Sequence, residues 1–296
     1  MSAGLVFDVD TFAVHDGPGI RMAVYFKGCP LSCRWCHSPE SRRSAPELIR
    51  VPERCRRCGA CVAACPRGVH QVDASGHRID RQRCAACGAC VDCCPYGALA
   101  IKGFWVEHEV LVRRAERLRP FFNHSGGGVT LTGGEVTRQP EFAAALLAGC
   151  QQRGIHTAIE TSGACRWETL ERLLEHTDLV LYDLKLMDDA RHRQWVGISN
   201  RQILQNARRL AGRNVQVRIP LIPGITDTEE NLNAIFSFMA RAGLASAALL
   251  PYNAAAGAKY EWLDEPYPIA GDTQTPDQLA RLAALGTRAG IAVSIA

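Results

Sequence analysis

Twelve of the chain's fourteen cysteines fall before residue 95, and eight of them form two copies of one spacing. Cys55-x2-Cys58-x2-Cys61-x3-Cys65-Pro66 is followed by Cys84-x2-Cys87-x2-Cys90-x3-Cys94-Pro95, an internal repeat within residues 51–103. In runs of this kind three cysteines hold one [4Fe–4S] cluster and the fourth ligates the other. The spacing therefore assigns Cys55, Cys58, Cys61 and Cys94 to one cluster, and Cys84, Cys87, Cys90 and Cys65 to the second. Zinc is the alternative, but structural zinc sites use two pairs separated by a longer arm and need no triplet followed by Cys-Pro. Each copy carries Gly-Ala between its second and third cysteines (Gly59-Ala60, Gly88-Ala89), small residues that let the backbone turn tightly around a cluster. Cys93 breaks the repeat by adjoining Cys94; the register favours Cys94 as ligand and leaves Cys93 spare.

The whole chain fits that reading. At 296 residues it can hold a large domain carrying a small one. Its hydrophobic and charged contents, 47% and 22%, are ordinary for a soluble globular protein. A net charge of +4 permits an acidic partner without demanding one, and neither nucleic acid nor membrane is expected as a partner. The N-terminus shows no basic start and no apolar core of a signal peptide, and no apolar run reaches transmembrane length. The expected compartment is the cytoplasm, where cysteines at short fixed spacings read as metal ligands rather than disulfides. Arginines crowd the entrance to the repeat (Arg42, Arg43, Arg50, Arg54, Arg56, Arg57) and read as a solvated basic surface.

After residue 103 short apolar runs alternate with helical stretches. Strands are predicted at Val129–Thr132, His156–Glu160, Leu179–Tyr182, Val215–Ile219, Ala247–Leu250 and Ile291–Ile295, with an earlier one at Ala23–Phe26. Helices are predicted at Pro140–Arg153, Trp167–His176, Arg201–Ala211, Glu229–Ala242 and Pro276–Ala289. The last has Thr275 as cap, Pro276 at N1 and Gly290 as terminator. Such alternation predicts an α/β fold with a parallel sheet, open or curled into a barrel, and function at the carboxyl ends of its strands. The polar and glycine-rich signatures do follow the strands: Lys27-Gly28-Cys29, Thr132-Gly133-Gly134-Glu135, Glu160-Thr161-Ser162-Gly163, Asp183-Leu184-Lys185, Arg218 to Pro223-Gly224, and Pro251-Tyr252-Asn253.

Cys29-x3-Cys33-x2-Cys36 differs from both quartets. Three thiolates without a fourth beside them would leave one iron of a [4Fe–4S] cluster open to a substrate or cofactor, a catalytic arrangement. With Trp35 before the last cysteine, this spacing resembles the signature of radical S-adenosylmethionine (SAM) enzymes. The segments Phe12-Ala-Val-His-Asp-Gly-Pro-Gly-Ile-Arg21, Phe26-Lys-Gly-Cys-Pro-Leu31, Trp35-Cys-His37, Asp183-Leu-Lys-Leu-Met-Asp188, Val217-Arg-Ile-Pro-Leu-Ile-Pro-Gly-Ile-Thr-Asp227 and Leu249-Leu-Pro-Tyr252 resemble those of glycyl-radical enzyme activating enzymes. The resemblance covers nearly the whole chain, including the double-cluster insert.

It implies a partial (β/α)6 TIM-like barrel at 1–50 and 104–296, with a ferredoxin-like insert at 51–103. It also implies an oxidoreductase that reductively cleaves SAM to a 5′-deoxyadenosyl radical and abstracts a hydrogen from a glycine of a partner glycyl radical enzyme. Cys29, Cys33 and Cys36 would hold the catalytic cluster. Trp35, Cys36, His37, Gly133, Gly134, Glu135, Asp183, Leu184, Lys185, Arg218 and Asn253 would contact the cofactor. Gly133 and Gly134 would offer backbone to the methionine amino group and Lys185 would meet its carboxylate. Asn253 stands where the family has a histidine and cannot titrate near neutral pH. Glu160, Thr161 and Asp183 match the positions of a monovalent cation in a relative that has aspartate where this chain has Glu160. Asp16 would touch the incoming glycine loop. Three clusters, SAM, a flavodoxin- or ferredoxin-type reductant and a monomeric state complete the expectation. Its rivals are a radical SAM enzyme acting on a small molecule and an electron-transfer iron–sulfur protein. Cys150 and Cys165 read as packed thiols, and the remaining histidines, including His124 and His192, as polar or structural residues.

Overall fold

Seven parallel strands lie side by side in the order in which the chain makes them. The computed structural model describes residues 2–296. Its strands are β1 (Ala3–Ala13), β2 (Arg21–Phe26), β3 (Glu47–Arg50), β4 (His70–Asp73), β5 (Gly76–Ile79), β6 (Leu99–Lys102), β7 (Phe104–Glu107), β8 (Gly128–Gly133), β9 (Thr157–Thr161), β10 (Leu179–Asp183), β11 (Val215–Pro220), β12 (Ser246–Leu250) and β13 (Ala292–Ile295). The large sheet runs β13-β12-β11-β10-β9-β8-β2-β1-β7. All pairs from β2 to β13 are parallel; β1 pairs antiparallel with β2 and β7.

Helices Pro140–Gln151, Trp167–Leu174, Arg201–Arg209, Glu229–Ala242 and Pro276–Arg288 fill the connections between successive strands of this series. They bury Leu146, Leu147, Leu170, Leu173, Ile203, Leu232, Ile235 and Phe236 against strand residues such as Val129, Leu131, Ile159 and Val217. Strands covered in this way are apolar runs, because side chains on both faces leave water. An order that never reverses is the winding of a (β/α) barrel, not of a doubly wound sheet with a switch point. Six strand–helix units, β2 and β8 to β12, followed by β13, make the partial (β/α)6 barrel.

Every predicted strand and helix is present, with ends shifted by a few residues. Thr275 makes the full capping box with Gln278, and Gly290 takes a left-handed φ of +78° just beyond the helix it ends. β1 and β7 were not anticipated. Register shifts between Val6 and Asp8 and between Asp10 and Ala13 break the period-two pattern in β1, so its alternation could not be read from sequence.

The cysteine-rich segment stands on the antiparallel ladder β3–β6, which starts at Glu47, ahead of the expected boundary at 51. β4 and β5 form a hairpin within it. The sequence repeat is also a backbone repeat. Arg57 and Ala86 (φ +52° and +48°) and Gly59 and Gly88 (φ +79° and +88°) take left-handed conformations at matching positions. Short helices Ala60–Ala64 and Ala89–Asp92 follow the two glycines.

The arginines at its entrance are not all solvated. Arg42 pairs with Glu265, and Arg50 pairs with Asp264 at 2.6 Å, joined there by Arg81 at 2.8 Å. These contacts tie the insert to the segment after helix Ala256–Glu261, so the expectation of a purely solvated basic surface is corrected for Arg42 and Arg50.

Lys27, only 1% exposed, makes the other junction. Its ammonium donates to the Glu47 carboxylate at 2.7 Å and to the Glu40 carbonyl, joining the end of β2 to the foot of β3. Removing one member of a buried pair leaves the other charge uncompensated. Lys27→Met should lower stability by about 3–5 kcal/mol. Lys27→Met combined with Glu47→Leu should recover most of that loss. Guanidinium denaturation followed by circular dichroism measures both, and a double variant no more stable than Lys27→Met would contradict the assignment.

Candidate functional site

The carboxyl ends of the strands open into one cavity of about 680 Å³. Its wall includes Cys29, Cys33, Trp35, Cys36 and His37 after β2, Gly133 and Gly134 at β8, and Glu160 and Thr161 at β9. Asp183 and Lys185 come from β10, Arg218 from β11, Tyr252 and Asn253 from beyond β12, and Asp16 from the β1–β2 connection. Residues scattered over more than two hundred positions converge because a parallel sheet delivers every strand end to one side.

The loop bearing the three cysteines is fixed by its backbone. Gly28 and Cys29 donate to the carbonyls of Ser41 and Arg42 at 2.7 and 3.0 Å, and Ser32 and Arg34 donate to those of Val196 and Trp195, both at 3.0 Å. Tyr260 donates its hydroxyl to the Arg34 carbonyl at 3.2 Å. Trp35 is buried near Trp195, with ring centroids 6.5 Å apart. Helix Asp189–Val196, Trp195 and Tyr260 are supports that sequence reasoning missed, since they carry no reactive group and no motif.

Burial pushes the thiols of Cys29, Cys33 and Cys36 above the usual thiol range, Cys33 to about 12, and repulsion from a neighbouring thiolate adds to the rise at Cys29 and Cys33. Left alone the trio keeps its protons. A cationic iron centre reverses that preference, because metal charge deprotonates a coordinating thiol. Lys185 and Arg42 oppose the rise without cancelling it, so three soft donors held close together fit a cluster-bound iron set.

Gly133 has φ +101°, and a Cβ there would lie 2.6 Å from the Phe26 nitrogen; a Cβ on Gly134 would lie 2.5 Å from the Gly28 carbonyl oxygen. The close approach of β2 thus demands glycine at both positions, while both still border the cavity. Glu135 does not border it. Only 1% exposed, its carboxylate accepts from Thr137 N and Oγ1, Thr161 Oγ1, and Ser162 N and Oγ at 2.6–3.2 Å. Expected as a cofactor contact, Glu135 is instead a buried knot joining the end of β8 to the end of β9. Leu184 likewise lies in the apolar core, 2% exposed.

The other wall residues are paired charges. Lys185 meets Asp183 at 2.6 Å, and Arg218 Nε lies 3.3 Å from Glu160. Arg218 also donates to the His15 carbonyl at 2.9 Å, yet its buried Nε has no hydrogen-bond acceptor. Glu160 accepts from Thr132 Oγ1. Burial alone would push the Lys185 ammonium down, but Asp183 and then Cys33 outweigh it and raise its pKa. Burial raises Asp16, helped by Glu160, and Tyr25 donates to its carboxylate at 3.2 Å. Burial and then Lys259 lower the pKa of His37. Glu160, Thr161 and Asp183 are brought together, but each already has a protein partner: Arg218 and Thr132, Glu135, and Lys185. Asn253 accepts from Ala255 N at 3.0 Å, which closes a turn at the cavity edge.

The insert holds two smaller cavities. Cys55, Cys58, Cys61 and Cys94 line one, with His77; Cys65, Cys84, Cys87 and Cys90 line the other, with His70. These are the two crossed sets predicted from spacing. Cys93 Sγ lies 3.5 Å from the Cys90 carbonyl, outside both. Cys150 and Cys165 are pushed up to about 12 by burial, and Cys150 is fully buried in the main core. His192 is buried with Nδ1 2.7 Å from the Ile198 carbonyl, a structural role.

Residues 82–234 match the Radical SAM superfamily, a span that begins beyond the Cys29 trio, and residues 54–99 match a 4Fe-4S dicluster domain. The chain is 41% identical over 282 residues to the choline trimethylamine-lyase activating enzyme of Oleidesulfovibrio alaskensis, covering 92% of this chain and 91% of that protein. It is also 41% identical over 268 residues to the trans-4-hydroxy-L-proline dehydratase activating enzyme of Clostridioides difficile, covering 89% of each. Among solved structures, a domain of pyruvate-formate lyase-activating enzyme from Bacteroides vulgatus matches with a TM-score of 0.50 at 31% identity, over 57% of this chain and 99% of that one.

The five donors on Glu135 give a direct test. In Glu135→Gln the amide N–H₂ must face a backbone N–H, that of Thr137 on one side or Ser162 on the other, and an unmade buried hydrogen bond costs about 1–3 kcal/mol. Glu135→Gln should unfold at measurably lower temperature than the parent, with Glu135→Asp also lowered because its shorter arm cannot reach both β9 donors. Unchanged melting of Glu135→Gln would contradict the knot.

Proposed function

Because the chain belongs to the glycyl-radical enzyme activating enzymes of the radical SAM superfamily, we propose that Cys29, Cys33 and Cys36 hold its catalytic [4Fe–4S] cluster and leave one iron for SAM. The enzyme forms a radical on a glycine of a partner glycyl radical enzyme. When bound, the cluster supplies the electron that splits SAM into methionine and a 5′-deoxyadenosyl radical, which takes the hydrogen from the glycine Cα.

The chain's own residues bind and orient. The observation that carries this reading is the convergence of the trio, Gly133-Gly134, Lys185 and Arg218 on one cavity. Lys185, adjacent to Cys33 in charge and held by Asp183, is placed to receive the methionine carboxylate. The methionine amino group donates, so the backbone carbonyls of the Gly133-Gly134 turn are the groups that receive it, while the Gly134 amide donates to the Phe26 carbonyl at 2.8 Å and holds the turn against β2. Arg218, held by Glu160 at 3.3 Å and by the His15 carbonyl at 2.9 Å, brings positive charge to the same wall. Trp35, His37 and Asn253 border the adenosine end, with Asn253 acting only by hydrogen bonding. Asp16, steadied by Tyr25, meets the incoming glycine loop. Arg218 and Lys185 supply beside Glu160 and Asp183 the positive charge for which a monovalent cation was expected.

In this reading the two insert cavities hold the second and third clusters and pass electrons inward from a flavodoxin- or ferredoxin-type reductant. The protein acts as a monomer in the cytoplasm; no helix among the described residues is long and apolar enough to cross a membrane. Two relatives at the same identity are named for a lyase and a dehydratase, so the partner is defined by its glycine loop rather than by its substrate.

Anaerobic incubation with SAM, dithionite and the glycyl radical enzyme encoded nearby should yield a glycyl radical signal in electron paramagnetic resonance. SAM cleavage without that signal would sink the partner assignment. Cys29→Ala, Cys33→Ala and Cys36→Ala should each abolish 5′-deoxyadenosine formation while retaining about eight irons per chain. Cleavage at the parental rate in any of them would contradict the site. Lys185→Ala should weaken SAM binding roughly tenfold to a hundredfold, with Lys185→Arg between it and the parent.

A further inference from the structure

We propose that His77, positioned by His70, donates a hydrogen bond to the thiolate of Cys55 and thereby raises the reduction potential of the first insert cluster relative to the second. The proposal rests on the reading that both insert cavities hold clusters.

The hairpin β4–β5 places the two histidines. Its register pairs His70 with Ile79 and Val72 with His77, so alternation puts all four on one face and Gln71 and Arg78 on the other. Val72 and Ile79 pack against the cluster cysteines, and both histidines are 5% exposed. His77 borders the first cavity and His70 the second. His77 Nδ1 lies 3.5 Å from Cys55 Sγ, its Nε2 lies 3.8 Å from Cys61 Sγ, and His70 Nδ1 lies 2.9 Å from His77 Nε2.

A neutral imidazole has one hydrogen for two sulfurs, and the shorter contact, 3.5 Å to Cys55 against 3.8 Å to Cys61, assigns it to Nδ1. An iron-bound thiolate accepts and does not donate, so the hydrogen in the Cys55 contact sits on His77 Nδ1. A neutral imidazole with Nδ1–H has Nε2 as acceptor. His70 Nδ1 must then donate to it, which leaves His70 Nε2 bare, and that atom is buried without a hydrogen-bond partner. Such an orphan is unfavourable, and nothing in the hairpin backbone requires either imidazole. Two such groups between Val72, Ile79 and the cysteines are explained by what they give the cluster.

A hydrogen bond to a cluster sulfur stabilises the more negative, reduced state and raises its potential. The second cluster receives backbone contacts only, Ala86 N to Cys84 Sγ at 3.4 Å and the amides that follow Cys65, and its neighbour His70 has already directed its hydrogen toward His77. The pair therefore gives the first of two sites of equal spacing a side-chain hydrogen bond that the second lacks, and raises its potential by that contact.

Cys61, His70 and His77 also offer ligand atoms within 4.8 Å of one another, close enough for a separate metal ion. Membership of Cys61 in the cysteine set of the first cavity argues against it, and metal analysis tests it.

The experiment uses the full chain, reconstituted anaerobically, as parent, His77→Leu, His77→Asn and His70→Leu. Iron and zinc are counted, and midpoint potentials are measured by redox titration with paramagnetic resonance. All should hold about twelve irons and no stoichiometric zinc. In His77→Leu one midpoint should fall while the other two stay; His77→Asn, which keeps an N–H, should fall less; His70→Leu should move the same midpoint in the same direction by a smaller amount. Three unmoved midpoints in His77→Leu overturn the proposal. So does stoichiometric zinc in the parent that is lost from His77→Leu. Should His77→Leu lose a cluster, His77→Asn decides by the same shift. A parent with only about four irons overturns the three-cluster reading itself, a result distinct from unmoved midpoints at full iron.

Discussion

Cys29, Cys33 and Cys36 occupy a setting in which a thiol keeps its proton, and the architecture makes sense once that is resolved. Burial raises all three, and a charged Cys36 would raise Cys29 and Cys33 further. Only a nearby positive centre makes three deprotonated sulfurs stable there. An iron cluster would supply it, and the loop's backbone is tied to Arg42, Val196 and Trp195. The same dry environment strengthens the attraction of Lys185 for an anionic ligand group.

The parallel sheet turns this local constraint into a site. Strand ends are where backbone leaves the ladder, so polar side chains and glycines can stand there without interrupting sheet bonds. Glu135 shows what is needed underneath. A fully bonded carboxylate locks β8 to β9, leaving Gly133 and Gly134 at the cavity with little freedom. Above it, Glu160–Arg218 and Asp183–Lys185 alternate sign around the wall. Each cation is thereby held in place. The insert is fastened at two points, Lys27–Glu47 at its base and Arg50 and Arg81 on Asp264 at its side.

Most of this was legible in the sequence for physical reasons. Strands covered on both faces must be apolar runs, so β8 to β12 declared themselves within two residues of their ends. Cluster cysteines must be close in sequence or fall in fixed triplets, so the crossed sets were readable as spacing. What spacing cannot carry is the direction of a side chain. Glu135 follows Gly-Gly whether it faces a cofactor or the protein, and only the positions of Thr137, Thr161 and Ser162 decide. β1 hid behind two register shifts. His70 and His77 read as ordinary polar residues because their partners, Cys55 and each other, meet only when the hairpin folds over the cluster cavity.

On the proposed reading, eight cysteines close two clusters and three leave one incomplete, and the catalytic role resides in the difference. The most direct measurement is electron–nuclear double resonance on the reduced protein with SAM isotopically labelled at the methionine amino nitrogen and carboxylate oxygen. The account predicts hyperfine coupling of both labels to a single cluster, lost in Cys29→Ala while the signals of the insert clusters persist. Absence of coupling in the parent, or its persistence in Cys29→Ala, would contradict it.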